Sequence, residues 1–252
     1  MFLTVDKFKR RTEELAQRRY FGRQTIAPFN AMPGDLPEDE AYHSLPEKIE
    51  GMSFGINDQF VGRDRYLWAE KEVTLLPAKE GCKVVGLFDF GKTGGGYNSG
   101  FESLLYLNGH PYQGVDTNHN EVIFSDLEGK DVRLTFLLWT GLEGGGVPQN
   151  FYHQLKTADL AYLHEDTDNL YYFARAITET VSLLPEDSTD RVNLIAAFDR
   201  ALAVINWDED SFYDTASQGL KVLMDELDRL EKHCEVTLNV VGHTHIDVAW
   251  LW

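Results

Sequence analysis

The spacing of apolar positions changes along the chain, and each change marks a different kind of element. From Asp6 to about Tyr20, Phe8, Leu15 and Tyr20 recur among Lys7, Lys9, Arg10, Arg11, Arg18 and Arg19. That pattern predicts a short basic helix whose one apolar side packs on a neighbour. Gly22 to Gly55 carries Pro28, Pro33, Gly34, Pro37 and Pro46, which reads as an extended connection. From Gly55 to about Pro148 short β-like runs take over: Tyr66–Leu75, Val84–Phe90, Ser103–Leu107, Glu121–Phe124 and Val132–Trp139. They are separated by turn-forming stretches such as Pro77-Ala78-Lys79-Glu80-Gly81 and Asn108-Gly109-His110-Pro111. Short strands at this spacing predict an antiparallel β-sandwich of the jelly-roll, galactose-binding-like kind. Tyr66, Trp68, Phe88, Phe90, Phe136 and Trp139 are expected to supply much of its core and inner edge.

From about Asp159 the period becomes helical. Leu170, Phe173, Ala174, Ile177 and Val181 fall on one face between Asp166 and Leu184. Ser188 stands where an N-cap belongs, ahead of Val192, Ile195, Ala196, Leu202 and Ile205. A third helix is expected from about Ser211 to His233, with Leu220, Leu223, Met224, Leu227 and Leu230 repeating among charges. The helices read as a connector that docks on something apolar. His153, His164 and His233 are isolated and read as surface or capping residues. Last comes an apolar β-branched run, Val236 to Val241, which reads as a buried strand. The fold class is therefore mixed: a β-sandwich, an α-helical connector, then one further strand. The chain divides into an N-terminal helix and arm (1–50), the sandwich (51–150), the connector (151–233) and the terminal strand region (234–252).

Composition narrows the partners. A formal net charge of −18 over 252 residues argues against nucleic acid or an anionic membrane, because both require a basic surface. Cys82 and Cys234 are far apart and form no disulfide framework, which suits a reducing cytoplasm. The N-terminus is charged too soon for a signal peptide, and no apolar run is long enough to cross a membrane. The expected setting is soluble and cytoplasmic.

Several motifs compete for the chemistry. Gly86-Leu87-Phe88-Asp89-Phe90-Gly91-Lys92-Thr93 matches the phosphate-loop spacing. However, its spacer reads as strand, and Gly94-Gly95-Gly96 after Thr93 cannot start a helix to cradle phosphate. Asp89-Phe90-Gly91 stands without the other kinase signatures. The polar stretch Gly114–Glu121 could contact metal or sugar at the sandwich rim, but it reads better as a loop bonding its own backbone. Trp68 and Trp139 could stack on sugars if exposed; as strand aromatics they are assigned to the core.

The strongest signal is the terminal Val240-Val241-Gly242-His243-Thr244-His245-Ile246-Asp247-Val248-Ala249-Trp250-Leu251-Trp252. On a strand, His243, His245 and Asp247 point to one side, and two imidazoles with a carboxylate suit zinc or a similar divalent ion. Amidohydrolase barrels, metallo-β-lactamase-like hydrolases and polymerase-type phosphoesterase barrels use related steps. Val248 after Asp247 disfavours the second, and none accounts for Ala249-Trp250-Leu251-Trp252. The stretch from Gly242 to Trp252 closely resembles the signature that opens the catalytic α/β barrel of family 38 glycoside hydrolases, the retaining α-mannosidases. Upstream, Phe54-Gly55, the Trp68-to-Pro77 strand, Glu102–Gly109 and Gly114-Val115-Asp116 are similar to the N-terminal part of their bacterial and cytosolic branch.

The resemblance implies that His245 and Asp247 bind a catalytic zinc, that Trp250 lines the subsite for the cleaved mannose, and that His243 supports the site. It implies an oligosaccharide substrate with α-linked mannose, and homo-oligomerisation stays open. A retaining hydrolase also needs a nucleophilic and an acid/base carboxylate about 5–5.5 Å apart. By resemblance, the nucleophilic Asp and two further zinc ligands fall beyond Trp252. The chain is thus expected to be an N-terminal portion ending just after the first barrel motif. Such a portion would be inactive alone, and its residues from about Thr237 would be poorly anchored. Two other readings remain: a carbohydrate-binding or scaffolding sandwich module, and another metal-dependent hydrolase with a His-x-His-x-Asp step.

Overall fold

A computed structural model describes residues 4–35, 43–91, 102–142, 147–208, 211–230, 237 and 239–242. The strands are β1 (Tyr20–Thr25), β2 (Phe29–Pro33), β3 (Met52–Phe54), β4 (Gln59–Gly62), β5 (Tyr66–Thr74), β6 (Cys82–Asp89), β7 (Glu102–Leu107), β8 (His110–Asp116), β9 (Glu121–Ile123), β10 (Asp131–Trp139), β11 (Phe151–Gln154) and β12 (Thr157–His164). They build a four-stranded sheet in the order β1-β12-β6-β9 and a six-stranded sheet in the order β3-β2-β5-β10-β7-β8, with β11 and β4 as a separate ribbon. Every ladder is antiparallel.

The two larger sheets pack face to face, as the short strand runs predict. Their shared core takes Val84, Phe88, Val122, Ala158 and Leu160 from the four-stranded sheet. The six-stranded sheet contributes Ala31, Leu67, Ala69, Leu105, Val115, Leu134, Phe136 and Leu138. Phe136 lies at the centre, edge-on to Phe29, Phe88 and Phe90 at centroid distances of 5.9, 4.8 and 5.2 Å, the preferred geometry for ring quadrupoles. Gly86 belongs to this packing: a Cβ there would stand 2.5 Å from Cε2 of Phe88. The glycine that opens the phosphate-loop look-alike therefore makes room for a ring in the middle of β6, and the phosphate reading fails there. Lys92 and Thr93 lie outside the described residues.

Turn chemistry sets the β7–β8 hairpin. Asn108 and Gly109 both have positive φ, 51° and 85°, the conformation that two-residue hairpin loops favour. Asn108 Oδ1 also accepts from the Arg133 backbone N–H at 2.8 Å. Pro111 is tolerated because β8 is the last strand of its sheet, where the ladder is already irregular.

The helices are α1 (Thr4–Arg18), α2 (Glu165–Leu183), α3 (Thr189–Ala203) and α4 (Phe212–Arg229). Ser188 caps α3, its Oγ accepting from Arg191 N–H at 3.1 Å. The helix α1 packs into the same core as the three later helices: Phe8, Leu15, Leu170, Ala174, Phe198, Ala201, Phe212 and Leu223 are buried together, with Phe8 edge-on to Phe198 at 4.6 Å. Its apolar side is thus buried as the pattern predicts, although the partner helices come after the whole sandwich in sequence.

Three expectations need correction. Residues 20–33 form β1 and β2 rather than an extended arm, because Phe29 and Ala31 are core residues and β2 adds main-chain pairing to β5. The stretch around Asp159 continues as the strand β12, held between β1 and β6; the helical period begins at Glu165. His153 is fully buried rather than on the surface, whereas His164 does cap α2, accepting from Thr167 N–H through Nδ1. His233 lies outside the described residues.

Replacing Phe136 by Ala removes the ring on which Phe29, Phe88 and Phe90 converge. Denaturant unfolding is expected to show a loss of about 3–5 kcal/mol, and a loss below about 1 kcal/mol would show that the core does not depend on this contact.

Candidate functional site

The terminal motif carries the sequence-level prediction, and His243, His245, Asp247 and Trp250 all lie outside the described residues. Immediately before it, Thr237 and Asn239 to Gly242 form no strand, and Val240 and Val241 are 91% and 81% exposed. The expected burial of this run is not found at its described positions. An apolar β-branched run satisfies its main chain only against a neighbouring strand, and none of the described strands pairs with it. Among the described residues no group of three or more His, Cys, Asp or Glu side chains could hold a metal ion. The donor set for zinc thus rests on sequence.

The Gly114–Glu121 stretch resolves in favour of local structure. Asp116 Oδ1 accepts from the N–H groups of Asn118 and His119 at 2.6 and 2.8 Å, and its carboxylate also meets the His119 ring Nδ1 at 3.1 Å. Burial alone would raise this carboxyl, but the hydrogen bonds from the His119 ring, Asn118 N–H and His119 N–H together hold it below its ordinary value. Asp116 ties the end of β8 to its own turn.

A different surface gathers aromatic and acidic groups: the outer face of the six-stranded sheet. Directly opposed residues of neighbouring strands share a face. Tyr66 on β5 opposes Trp139 on β10, Trp139 opposes Glu102 on β7, and Glu102 opposes Asp116 on β8. The next row reads Trp68, Leu137, Leu104 and Gly114 by the same pairings. In the first row the Tyr66 and Trp139 rings lie 6.3 Å apart, tilted by only 22°. The Trp139 indole Nε1–H donates to Asp64 Oδ1 at 2.8 Å. The Tyr66 N–H donates to Asp35 Oδ1 at 2.8 Å, and Asp35 also holds Arg65. Burial first, then the carboxylates of Asp64, Glu102 and Asp35, push the Tyr66 phenol above its ordinary pKa. Tyr66 and Trp139 are partly exposed, Glu102 is exposed, and Trp68 is buried. Gly34 closes over Trp68, where a Cβ would stand 2.7 Å from the ring, and His43 lies against both Tyr66 and Trp68.

Tyr66, Trp68 and Trp139 therefore turn away from the sandwich core to which they were assigned. The signal for this was present in the sequence. Trp139 is three positions from Phe136, so alternation along a strand places the two rings on opposite faces. Glu102 carries no local pattern of its own; only the register of β7 against β10 brings it beside Trp139.

The C-terminal end of β10 is secured from the β4–β11 ribbon. His153 Nε2 donates to the Trp139 carbonyl at 2.6 Å, and the Phe90 backbone is its other hydrogen-bonding neighbour. Burial lowers the His153 pKa, with both backbone contacts acting in the opposite direction. At the junction with the helices, Arg19 donates to Asp168 at 2.6 Å and lies over the rings of Tyr20, Tyr171 and Tyr172, while Tyr20 donates its hydroxyl to Glu121. No described helix is long and apolar enough to cross a membrane.

No family model matches this chain. Over 171 residues it is 26% identical to alpha-mannosidase 2C1 of Mus musculus, a match that covers 62% of this chain and 16% of the mouse protein. The chain thus spans only a small part of that relative's length. Among solved structures it is similar to a beta-glucuronidase of Faecalibacterium prausnitzii (TM-score 0.39, 14% identity, 57% of this chain and 31% of that one). It is also similar to the module TmCBM61 in complex with beta-1,4-galactotriose (TM-score 0.29, 16% identity, 54% of this chain and 89% of that one).

The burial of His153 has a consequence for pH. The unfolded chain takes up the His153 proton at about the ordinary histidine pKa of 6.5, and the folded chain only at lower pH. Its contribution to stability is therefore complete above that value and declines as pH falls below it. His164, also shifted down by burial, adds to the same trend. Unfolding curves from neutral to mildly acidic pH are expected to show falling stability, with a smaller slope in His153→Gln. An unchanged slope in that variant would show that His153 titrates as freely in the folded chain as in the unfolded one.

Proposed function

We propose that this chain is the N-terminal region of a zinc-dependent retaining α-mannosidase, in which the sandwich and helices precede a catalytic barrel. The observation that carries the reading is the 26% identity to mouse alpha-mannosidase 2C1 over 171 residues, a match covering 62% of this chain. The Gly242–Trp252 signature agrees with it. In this reading His245 and Asp247 are two of the zinc ligands, Trp250 lines the mannose subsite and His243 supports them. Bound zinc would act as a Lewis acid that orients the sugar and stabilises developing charge. The nucleophilic and acid/base carboxylates, with the remaining ligands, would be supplied by residues after Trp252. This chain by itself would then release no mannose. Its acidic surface suits a neutral oligosaccharide substrate.

The complete gene product, assayed on an aryl α-mannoside, is expected to release the aglycone in a chelator-sensitive way. His245→Ala and Asp247→Ala are each expected to lower kcat/KM by about 100-fold or more, consistent with loss of several kcal/mol of transition-state stabilisation, and to reduce zinc content in metal analysis. Absence of α-mannoside turnover would sink the proposal. Turnover of a different ester or amide substrate with the same metal loss would instead favour another metal-dependent hydrolase.

A further inference from the structure

We propose that the outer face of the six-stranded sheet carries a non-catalytic sugar-binding strip, with Tyr66 and Trp139 as its platform and Glu102 as its hydroxyl acceptor. The strip uses none of the residues of the terminal motif and stands whether or not the glycosidase reading holds.

Sheet geometry makes the first argument. The interior of the sandwich is filled from the opposite face by Leu67, Leu105, Phe136 and Leu138, so the Trp139 and Tyr66 rings are not needed to close it. Trp68, in the next row, is buried under Gly34, whereas Trp139, and Tyr66 with His43 against its ring at 4.1 Å, stay partly exposed. The two rings are tilted by only 22° with centroids 6.3 Å apart, and each offers partly exposed apolar ring surface. A pyranose has a matching apolar C–H face. A cation cage needs rings set as walls around the charge, which this pair does not provide.

The second argument is chemical. Trp139 Nε1–H is taken up by Asp64, which fixes the indole in its plane and lowers the cost of ordering it on binding. Glu102 directly opposes Trp139, and its exposed carboxylate is engaged by no hydrogen bond or ion pair with a described residue. An ionised carboxylate is acceptor-only and pairs well with sugar hydroxyls at the edge of a stacked ring. Asp64 and Asp116 flank the strip, so the local field is negative and disfavours uronic, sialic or phosphorylated sugars. The ligand class is therefore a neutral pyranose, taken as a terminal or internal residue of an oligosaccharide.

The test uses this chain and follows the Trp139 indole N–H by NMR, its resonance assigned from Trp139→Phe. The probes are methyl α-D-mannopyranoside, methyl α-D-glucopyranoside, methyl β-D-galactopyranoside, glucuronate and tetramethylammonium. At least one neutral glycoside is expected to shift that resonance saturably, and glucuronate is expected to leave it unmoved. Trp139→Ala should weaken binding by about tenfold or more, on the scale of a lost aromatic stack. Glu102→Gln, a change at an exposed side chain that leaves the fold intact, should weaken it severalfold. Melting curves check that each variant is folded, and Glu102→Gln decides the matter if Trp139→Ala is not. No saturable shift with any neutral glycoside overturns the proposal, as does saturation by tetramethylammonium alone or unchanged binding in Glu102→Gln. Mannoside turnover by the complete gene product is a separate measurement, so the two readings fail independently.

Discussion

The two-sided use of β10 is the constraint on which the rest of the sandwich depends. This strand is paired along its length, with β5 on one side and β7 on the other, so its side chains can only alternate between the two faces of one sheet. Leu134, Phe136 and Leu138 go inward and close the core with Phe88 and Phe90 of the facing sheet. Thr135, Leu137 and Trp139 then have no choice but to go outward. A one-residue slip would exchange the two sets, placing the Thr135 hydroxyl and the Arg133 guanidinium in the core at prohibitive desolvation cost. The aromatic outer face follows from the same register that makes the inner core.

A second constraint ties the sandwich to the helices. The chain enters through α1, crosses into β1 at Arg19 and Tyr20, and returns to the helices from β12 into α2. Arg19 stands where these paths meet. Its guanidinium is held by Asp168 at the start of α2 and stacked among Tyr20, Tyr171 and Tyr172. Tyr20, next to it, bonds Glu121 on β9. Phe21 of β1 meets Tyr213 of α4 at 4.6 Å, and Tyr213 also meets His164, the α2 cap. Aromatic and charged contacts of this kind favour one relative placement of sandwich and helices, since planar groups lose their fit when rotated.

Two glycine-containing stretches illustrate how a short motif is decided by its surroundings. Gly86 and the Asp89-Phe90-Gly91 tripeptide look like phosphate and kinase signatures in one dimension. In the fold Gly86 gives space to Phe88, Phe90 fills the core, and Gly91 N–H is bonded by Asp89 Oδ1 at 2.7 Å. The Asp116-Thr117-Asn118-His119 run resolves in the same direction, toward a turn that satisfies its own main chain.

Sequence by itself determined what depends on neighbours close in the chain. The β5, β6, β7 and β10 runs, the α2 and α3 periods, the Ser188 cap and the Asn108-Gly109 turn are each written in residues a few positions apart, where steric and capping preferences act directly. The likeness of the terminal motif to mannosidases is also a sequence property, and its residues lie outside the described structure. Tertiary structure alone decided the rest. It put α1 with helices that follow about 150 residues later, because an amphipathic face specifies that it must be buried but not against what. It drew β1 and β2 out of a proline-rich stretch, because open ladder positions on β12 and β5 supplied partners that the local sequence does not show. It also brought Glu102 beside Trp139, because cross-strand register, unlike periodicity, is fixed only when separate strands meet.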